Sequence, residues 1–259
     1  MANLENAVRV GHYAQQQIYS RDRLIAWSHR RRFTTAVALA RELAGRRVLD
    51  YGCGDGTFLG LLAGTDYTPL AAVGAEIHRH VVEDCRHRFA GQPGLWFVLT
   101  DELGAHCSRY DTVFCMEVLE HVVDSTPLLD DFERLLVPGG TLIVSVPIET
   151  GFPLIVKQLV RRVAGWRGVG YYPGTTGYTP RELLTSVLAG STPHIPRPVF
   201  TREDQTTFHD HKGFNWKALR SMLAARFDLV RTLTSPVSWL GPQLSTQIWF
   251  VARKAPSKT

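Results

Sequence analysis

Two stretches of this chain carry residue types that do chemistry at spacings that would bring them together. In CMEVLEHV, Cys115 to Val122, Glu117, Glu120 and His121 stand at i, i+3 and i+4, which on a helix places all three on one face. Two carboxylates and an imidazole on one face can ligate a divalent ion, which would hold an acceptor oxygen and lower its pKa before attack. Carboxylates favour a hard ion such as Mg2+, and the imidazole also accepts Mn2+ or Fe2+. The same histidine without metal is a general base, and a third reading makes Glu120 and His121 scaffold that caps the helix or borders a ligand. Further along, HDHKGFNW places His209 and His211 two residues apart, each a candidate ligand or base. The candidate catalytic residues are therefore His121, His209 and His211, and the candidate metal set is Glu117, Glu120, His121 and His211.

The second stretch, VLDYGCGDGTF from Val48 to Phe58, is an apolar run entering a turn with Gly52, Gly54 and Gly56. In an open parallel sheet the ligand sits at the carboxyl ends of the strands, and a glycine-rich first turn lets it approach the backbone. Thr57 stands where a dinucleotide fingerprint puts its last glycine, and Asp50 and Asp55 would repel a pyrophosphate. Carboxylates here suit a ligand with a positive group. S-adenosylmethionine (SAM) has an ammonium and a sulfonium, together with an adenosine. Glu76 in VGAEIH lies 24 residues after Gly52, where an acid binds ribose hydroxyls. Asp101 closes WFVLTDE, placed to accept from the adenine amino group.

The elements that must position these residues are read from the hydrophobic pattern. From His12 to Leu43 the apolar and aromatic residues recur at helical spacing, which predicts an N-terminal helical cap over residues 1–45. Its Tyr13, Tyr19, Trp27 and His29 are placed to close over the site, or to cover the sheet or a subunit interface. From Val48 short apolar runs alternate with helical stretches, the signature of an α/β doubly wound, mostly parallel sheet, so residues 46–259 read as one domain. Its rhythm breaks at about 148–207, where Pro153, Pro173, Gly174, Pro180, Pro193, Pro196 and Pro198 accumulate; this zone is an insertion or lid after the fifth strand. FNWKALRSMLAARF then reads as a helix, with DLVRTLTS and QIWFVARK as closing strands.

Four motifs, VLDYGCGDGTF, VGAEIH, YDTVFCMEVLEHV and LLVPGGTLIVSVP, resemble in order those of class I SAM-dependent methyltransferases, of the methyltransferase type 11/23 and ubiquinone-biosynthesis O-methyltransferase-like group. The match runs from about Arg46 to Pro147. The resemblance implies a seven-stranded sheet whose final strand, QIWFVARK, runs antiparallel, with SAM across the strand ends. Asp50, Gly52, Cys53 and Gly54 would line its methionine part, Glu76 the ribose and Asp101 the adenine edge, with Met116 near the transferred methyl group. CMEVLEHV is similar to the corresponding segment of ubiquinone-biosynthesis O-methyltransferases and of small-RNA 3′-terminal 2′-O-methyltransferases, both of which use a metal there. The RNA enzymes add a histidine within Asp-His-Lys-Phe-Glu-Trp. Here the run is Asp210, His211, Lys212, Gly213, Phe214, Asn215, Trp216, with a glycine inserted and asparagine for glutamate.

The acceptor is read from what could act on it. A hydroxyl must lose a proton, which gives the histidines a use, so a hydroxyl of a small molecule is favoured: a phenol, sugar or secondary metabolite. An RNA 2′-hydroxyl is the alternative, supported by the cluster, the Asp-His-Lys run and a net charge of +5, but the chain lacks a dense basic stripe interleaved with aromatics. A non-catalytic SAM-binding protein is the third class. In residues 152–167, Phe152, Ile155, Val156, Leu159, Val160, Val163 and Trp166 make an apolar stripe opposed by Lys157, Arg161 and Arg162. The stripe packs on its own domain as a lid wall, or lies on an anionic membrane surface. YYPGTTGYTPREL could supply hydroxyl and aromatic contacts to a polar ring. With 44% hydrophobic and 20% charged residues, no apolar run of membrane-spanning length and no secretory signal in MANLENAVRV, the expected compartment is the cytoplasm. The four cysteines lack CxxC spacing, so they are expected reduced and mostly buried.

Overall fold

A computed structural model describes residues 2–67, 69–166, 176–192, 195–202 and 205–256. Helices α1 (Ala2–Arg9), α2 (His12–Gln16) and α3 (Arg23–Leu43) come first, then β1 (Arg47–Tyr51), α4 (Thr57–Ala63), β2 (Ala71–Glu76), α5 (Arg79–Arg88) and β3 (Leu95–Leu99). A 3-10 turn (Thr100–Ala105) leads to β4 (Tyr110–Met116), α6 (Thr126–Leu135), β5 (Leu136–Pro147), α7 (Phe152–Trp166) and α8 (Pro180–Val187). The chain continues through β6 (Val199–Thr201), β7 (Thr207–His209), α9 (Trp216–Ala224), β8 (Asp228–Ser235), a 3-10 turn (Ser238–Gln243) and β9 (Gln247–Arg253). Seven strands form a mostly parallel sheet in the order β3-β2-β1-β4-β5-β9-β8, and β6 pairs with β7. No helix among the described residues is long and apolar enough to cross a membrane.

The chain divides into two compact units: Met1–Met116 with Leu129–Val144 and Val251–Thr259, and Glu117–Leu128 with Ser145–Phe250. In the first, β1 pairs in parallel with β2 and β4, and Val48, Leu49 and Asp50 are all buried. A strand covered on both faces reads as a continuous apolar run, which makes an aspartate in its middle conspicuous. Helix α3 starts where Asp22 accepts hydrogen bonds from the N–H groups of Leu24 and Ile25 at 2.8 and 3.0 Å, satisfying donors that the first turn leaves open. It buries Ala26, Phe33, Ala36, Leu39 and Ala40. Helix α4 starts from Gly56 at φ 73°. A Cβ there would meet the rings of Phe89 and Phe97 at 2.9 Å, so both backbone and packing demand glycine. Cys53, Cys85 and Cys115 are buried thiols and Cys107 is exposed.

In the second unit, α8 is opened by a capping box in which Thr179 and Glu182 satisfy each other's backbone N–H, with Pro180 in the first turn. Helix α9 is capped by Asn215, which accepts from Lys217 and Ala218. Two expectations need correction. Glu117, Glu120 and His121 do not lie on a helix: Glu117 adopts φ 57°, a left-handed conformation that a helix does not continue through, and Glu117 to His121 form an irregular turn. In the apolar stripe of α7, Phe152, Val156 and Leu159 are exposed rather than packed on the domain, while Lys157 turns inward to buried Glu149. Of the remaining expected stripe, the side chains of Val160, Arg162, Val163 and Trp166, and the loop at 171–175, lie outside the described residues.

Candidate functional site

The glycine turn of the first unit is anchored from two sides. The N–H groups of Gly52 and Cys53 both donate to the Ala75 carbonyl, at 2.8 and 3.0 Å. Glu76 reaches back across the turn, its Oε2 accepting from Gly54 N–H at 3.1 Å and its Oε1 from Ile77 N–H at 2.8 Å. Gly52, Gly54 and Gly56 all have positive φ. The buried thiols of Cys53 and Cys85 both donate to the Gly54 carbonyl, at 3.6 and 3.5 Å. Asp55 clamps the N-terminal helices to the turn: Oδ2 accepts from Ala14 N–H at 2.9 Å and Oδ1 from the Thr57 hydroxyl at 2.6 Å. The Tyr13 ring lies 3.2 Å from where a Cβ on Gly54 would stand.

Asp50 is wholly buried, and burial together with the negative charge of Glu76 raises its pKa to about 8, against an opposing pull from Arg32. Its Oδ1 has no hydrogen-bond partner among the described residues. A buried carboxylate oxygen without a donor is a costly arrangement that a cationic ligand group would relieve, so the turn fits SAM rather than a pyrophosphate. Asp101 is exposed at the start of the 3-10 turn after β3, and Met116 is the half-buried last residue of β4.

In the second unit, two histidine-bearing turns are bound to each other. His209 N–H donates to the His121 carbonyl at 2.9 Å, and Nδ1 of His121 pairs with the His209 carbonyl at 2.9 Å. Nη2 of Arg197 donates to the carbonyls of both Glu120 and Asp210, the latter at 2.9 Å. These bonds bring Nε2 of His121 to 3.4 Å from Nε2 of His211. Glu120, His121 and His211 each offer a ligand atom within 4.8 Å of the others, and two imidazole nitrogens beside a buried carboxylate suit a divalent cation. Glu117 is outside this group; its Oε1 accepts from the Ser145 hydroxyl at 3.3 Å. The His209 ring turns away, Nδ1 pairing with the Pro198 carbonyl at 2.7 Å, so His209 meets His121 through its backbone. Burial lowers the His121 pKa, aided by the neighbouring His211 and Arg197 and opposed by the His209 carbonyl and Glu117.

Glu149, not singled out in the sequence, completes the surroundings of His211 together with Lys157 and Arg161, read there only as the basic side of the 152–167 stripe. Glu149 is fully buried; its Oε1 lies 2.8 Å from Lys157 Nζ, 3.5 Å from Arg161 Nη2 and 3.8 Å from His211 Nδ1. Burial works against its charge, but Lys157, His211 and Arg161 outweigh it and hold the pKa down to about 2. The available sequence signal was an acid set directly after the apolar run TLIVSVPI, with Lys157 and Arg161 one helical turn apart.

A family model described as a methyltransferase domain matches residues 20–183. The chain is 28% identical over 202 residues to a ubiquinone biosynthesis O-methyltransferase from Psychrobacter arcticus, covering 72% of this chain and 70% of that protein. It spans about half the length of other relatives of the same name. It is 31% identical over 134 residues to a tRNA U34 carboxymethyltransferase from Alcanivorax borkumensis, 51% of this chain and 42% of that protein. In fold it is similar to magnesium protoporphyrin IX methyltransferase from Synechocystis with bound SAH, at a TM-score of 0.52 and 17% identity over 98% of this chain and 94% of that one. With a glycine turn that fits SAM and a family match over more than half its length, the chain belongs to the methyltransferase-domain family and is a class I SAM-dependent methyltransferase.

Proposed function

We propose that the chain methylates a hydroxyl oxygen of a small molecule, such as a phenol, sugar or secondary metabolite, with Asp50, Gly52, Cys53, Gly54, Glu76, Asp101 and Met116 holding SAM. SAM supplies a methyl carbon bonded to a positively charged sulfur, which is already a good leaving group. What is left to the protein is to align the acceptor, exclude water and remove one proton. The observation that carries the reading is the meeting of His121, His211 and Glu120: a hydroxyl has a proton to lose, and here are groups suited to taking it or to promoting its loss. Glu120, His121 and His211 would hold a divalent cation, whose chemistry would be to lower the hydroxyl pKa. Without it, His211 is oriented as a base, its Nδ1 side facing Glu149 at 3.8 Å, so that the carboxylate steadies the charge His211 gains with the proton.

An RNA 2′-hydroxyl is the second reading, favoured by the arrangement in which the Asp-His-Lys run brings His211 to His121. Purified protein, methyl-labelled SAM and a cell extract split into RNA and small-molecule fractions, each with and without EDTA, separate the two. Label in the small-molecule fraction is expected, with its EDTA sensitivity deciding between cation and base; label confined to RNA would overturn the first reading.

A further inference from the structure

Three basic groups converge on one oxygen of Glu149. One carboxylate oxygen receives Lys157 Nζ at 2.8 Å and Arg161 Nη2 at 3.5 Å, with His211 Nδ1 at 3.8 Å. Two further carboxylates stand around the group: Glu120, whose ligand atom lies within 4.8 Å of that of His211, and Asp210. Lys212 Nζ sits 3.0 Å from Glu182 Oε2. The Asp210 carboxylate accepts from the Thr176 N–H and hydroxyl at 2.7 and 2.8 Å and from the Lys212 N–H at 3.0 Å. Tyr178 is held neutral, burial pushing its pKa up to about 12.

Arg161 is the member of this group with donors to spare. Its Nη1 is buried and has no hydrogen-bond partner among the described residues, and the same holds for the hydroxyl of Thr150, next along the chain from Glu149. The Arg161 and Lys157 side chains as a whole remain 20% and 18% exposed. A guanidinium with free donors in a partly desolvated place is the protein's usual receptor for a carboxylate or phosphate, because its planar fork matches two oxygens at once. A buried guanidinium donor without an acceptor is costly until an oxygen meets it.

We infer that Arg161, backed by Lys157 and oriented by Glu149, is an anion subsite that takes a carboxylate or phosphate borne by the small-molecule acceptor. This rests on the reading that the acceptor's hydroxyl is handled by the adjoining His211 cluster, and it makes Arg161 a determinant of acceptor specificity: an uncharged phenol would lose to the same phenol carrying an acid.

The test uses the full chain saturated with SAM and four probes: benzoate, phenyl phosphate, catechol and 3,4-dihydroxybenzoate, titrated calorimetrically into wild type and Arg161→Gln. Benzoate or phenyl phosphate is expected to bind wild type, and the tighter of the two identifies the acid. Binding of that anion should weaken about tenfold or more in Arg161→Gln and recover in part in Arg161→Lys, with catechol unchanged and 3,4-dihydroxybenzoate bound more tightly than catechol only by wild type. An unchanged SAM titration shows that the variant is folded. If neither anion binds wild type, or both bind Arg161→Gln as tightly, the subsite is refuted. Arginine-dependent anion binding with no label in the small-molecule fraction would separate the two ideas, keeping the subsite and removing the hydroxyl reading.

Discussion

Nε2 of His211 lies 3.4 Å from Nε2 of His121, across 90 residues of chain. Neither turn could hold this by itself, and Arg197 ties them: one nitrogen donates to the carbonyl preceding each histidine, Glu120 and Asp210, while its guanidinium lies over the Phe214 ring at 5.3 Å. Arg197 is therefore a positioning residue. Arg197→Met, which keeps length and packing, is expected to lower kcat about tenfold or more, in the range seen when groups that orient ligands are removed, with SAM affinity unchanged. Arg197→Lys should recover part of it. Titrating Mn2+ into each variant gives a second readout, expected to weaken in parallel; equal kcat in Arg197→Met and wild type would show that the pairing does not depend on Arg197.

Asp50 gives a pH dependence whose sign is set by its raised pKa. The unfolded chain loses this proton near 3.8, whereas the folded protein keeps it until about 8. Across that window the native state binds more protons, so stability falls as pH rises, with a slope from this one group of at most about 1.4 kcal/mol per pH unit. Asp50→Asn should flatten that part of the profile in urea denaturation between pH 5 and 8. SAM affinity should move the opposite way in wild type, rising with pH towards 8 as the carboxylate forms, with proton release on binding seen as a dependence of calorimetric heat on buffer ionisation enthalpy. In Asp50→Asn affinity should be weaker and flat. A wild-type affinity independent of pH between 6 and 8 would contradict the coupling of Asp50 to the ligand.

The strands and the glycine turn were readable because their determinants are local. Val48 to Phe58 contains the buried strand, the left-handed glycines and the acid, all in eleven consecutive residues, and a parallel strand buried on both faces announces itself as an apolar run. Glu117, Glu120 and His121 show how local spacing misleads: the i, i+3, i+4 pattern is helical, but Glu117 at φ 57° breaks the helix, and His121 reaches His211 through a turn held by distant groups. The meeting of Glu149 with Arg161 was hidden for a related reason. Their meaning comes from meeting each other and His211, and nothing in Ile148 to Thr150 says which later residue will arrive. On α7 the amphipathic pattern alone favours burying the apolar side, whereas the buried charge of Glu149 draws Lys157 inward and leaves Phe152, Val156 and Leu159 exposed.

Gly56 offers a check on how tightly the turn is built. Alanine there would sit at φ 73° and place its Cβ 2.9 Å from two aromatic rings, Phe89 and Phe97, that stack on each other at 5.4 Å. Left-handed backbone costs a residue with a Cβ about 1–2 kcal/mol, and rings packed in the core cannot both retreat freely. Gly56→Ala is expected to lower unfolding free energy by about 2–5 kcal/mol, the sum of strain and overpacking, as read from denaturant midpoints. Gly104→Ala, whose Cβ would meet nothing within 4 Å, is the control and should stay within about 0.5 kcal/mol of wild type.

The outward face of α7 carries the last expectation, a peripheral membrane contact. Phe152, Val156 and Leu159 are 52%, 42% and 57% exposed, which is unusual for large apolar residues sharing one helix face. A basic amphipathic helix would ordinarily lean on its cations to find anionic lipid, but Lys157 and Arg161 are turned towards Glu149. Attachment through this face must then rest on apolar insertion more than on charge. Co-sedimentation should therefore occur with phosphatidylcholine vesicles nearly as well as with vesicles containing phosphatidylserine, vary little between low and physiological salt, and drop in Phe152→Ser and Leu159→Ser. Binding confined to anionic vesicles and abolished by salt would assign the contact to other basic residues; no binding to either composition would leave α7 without a membrane role.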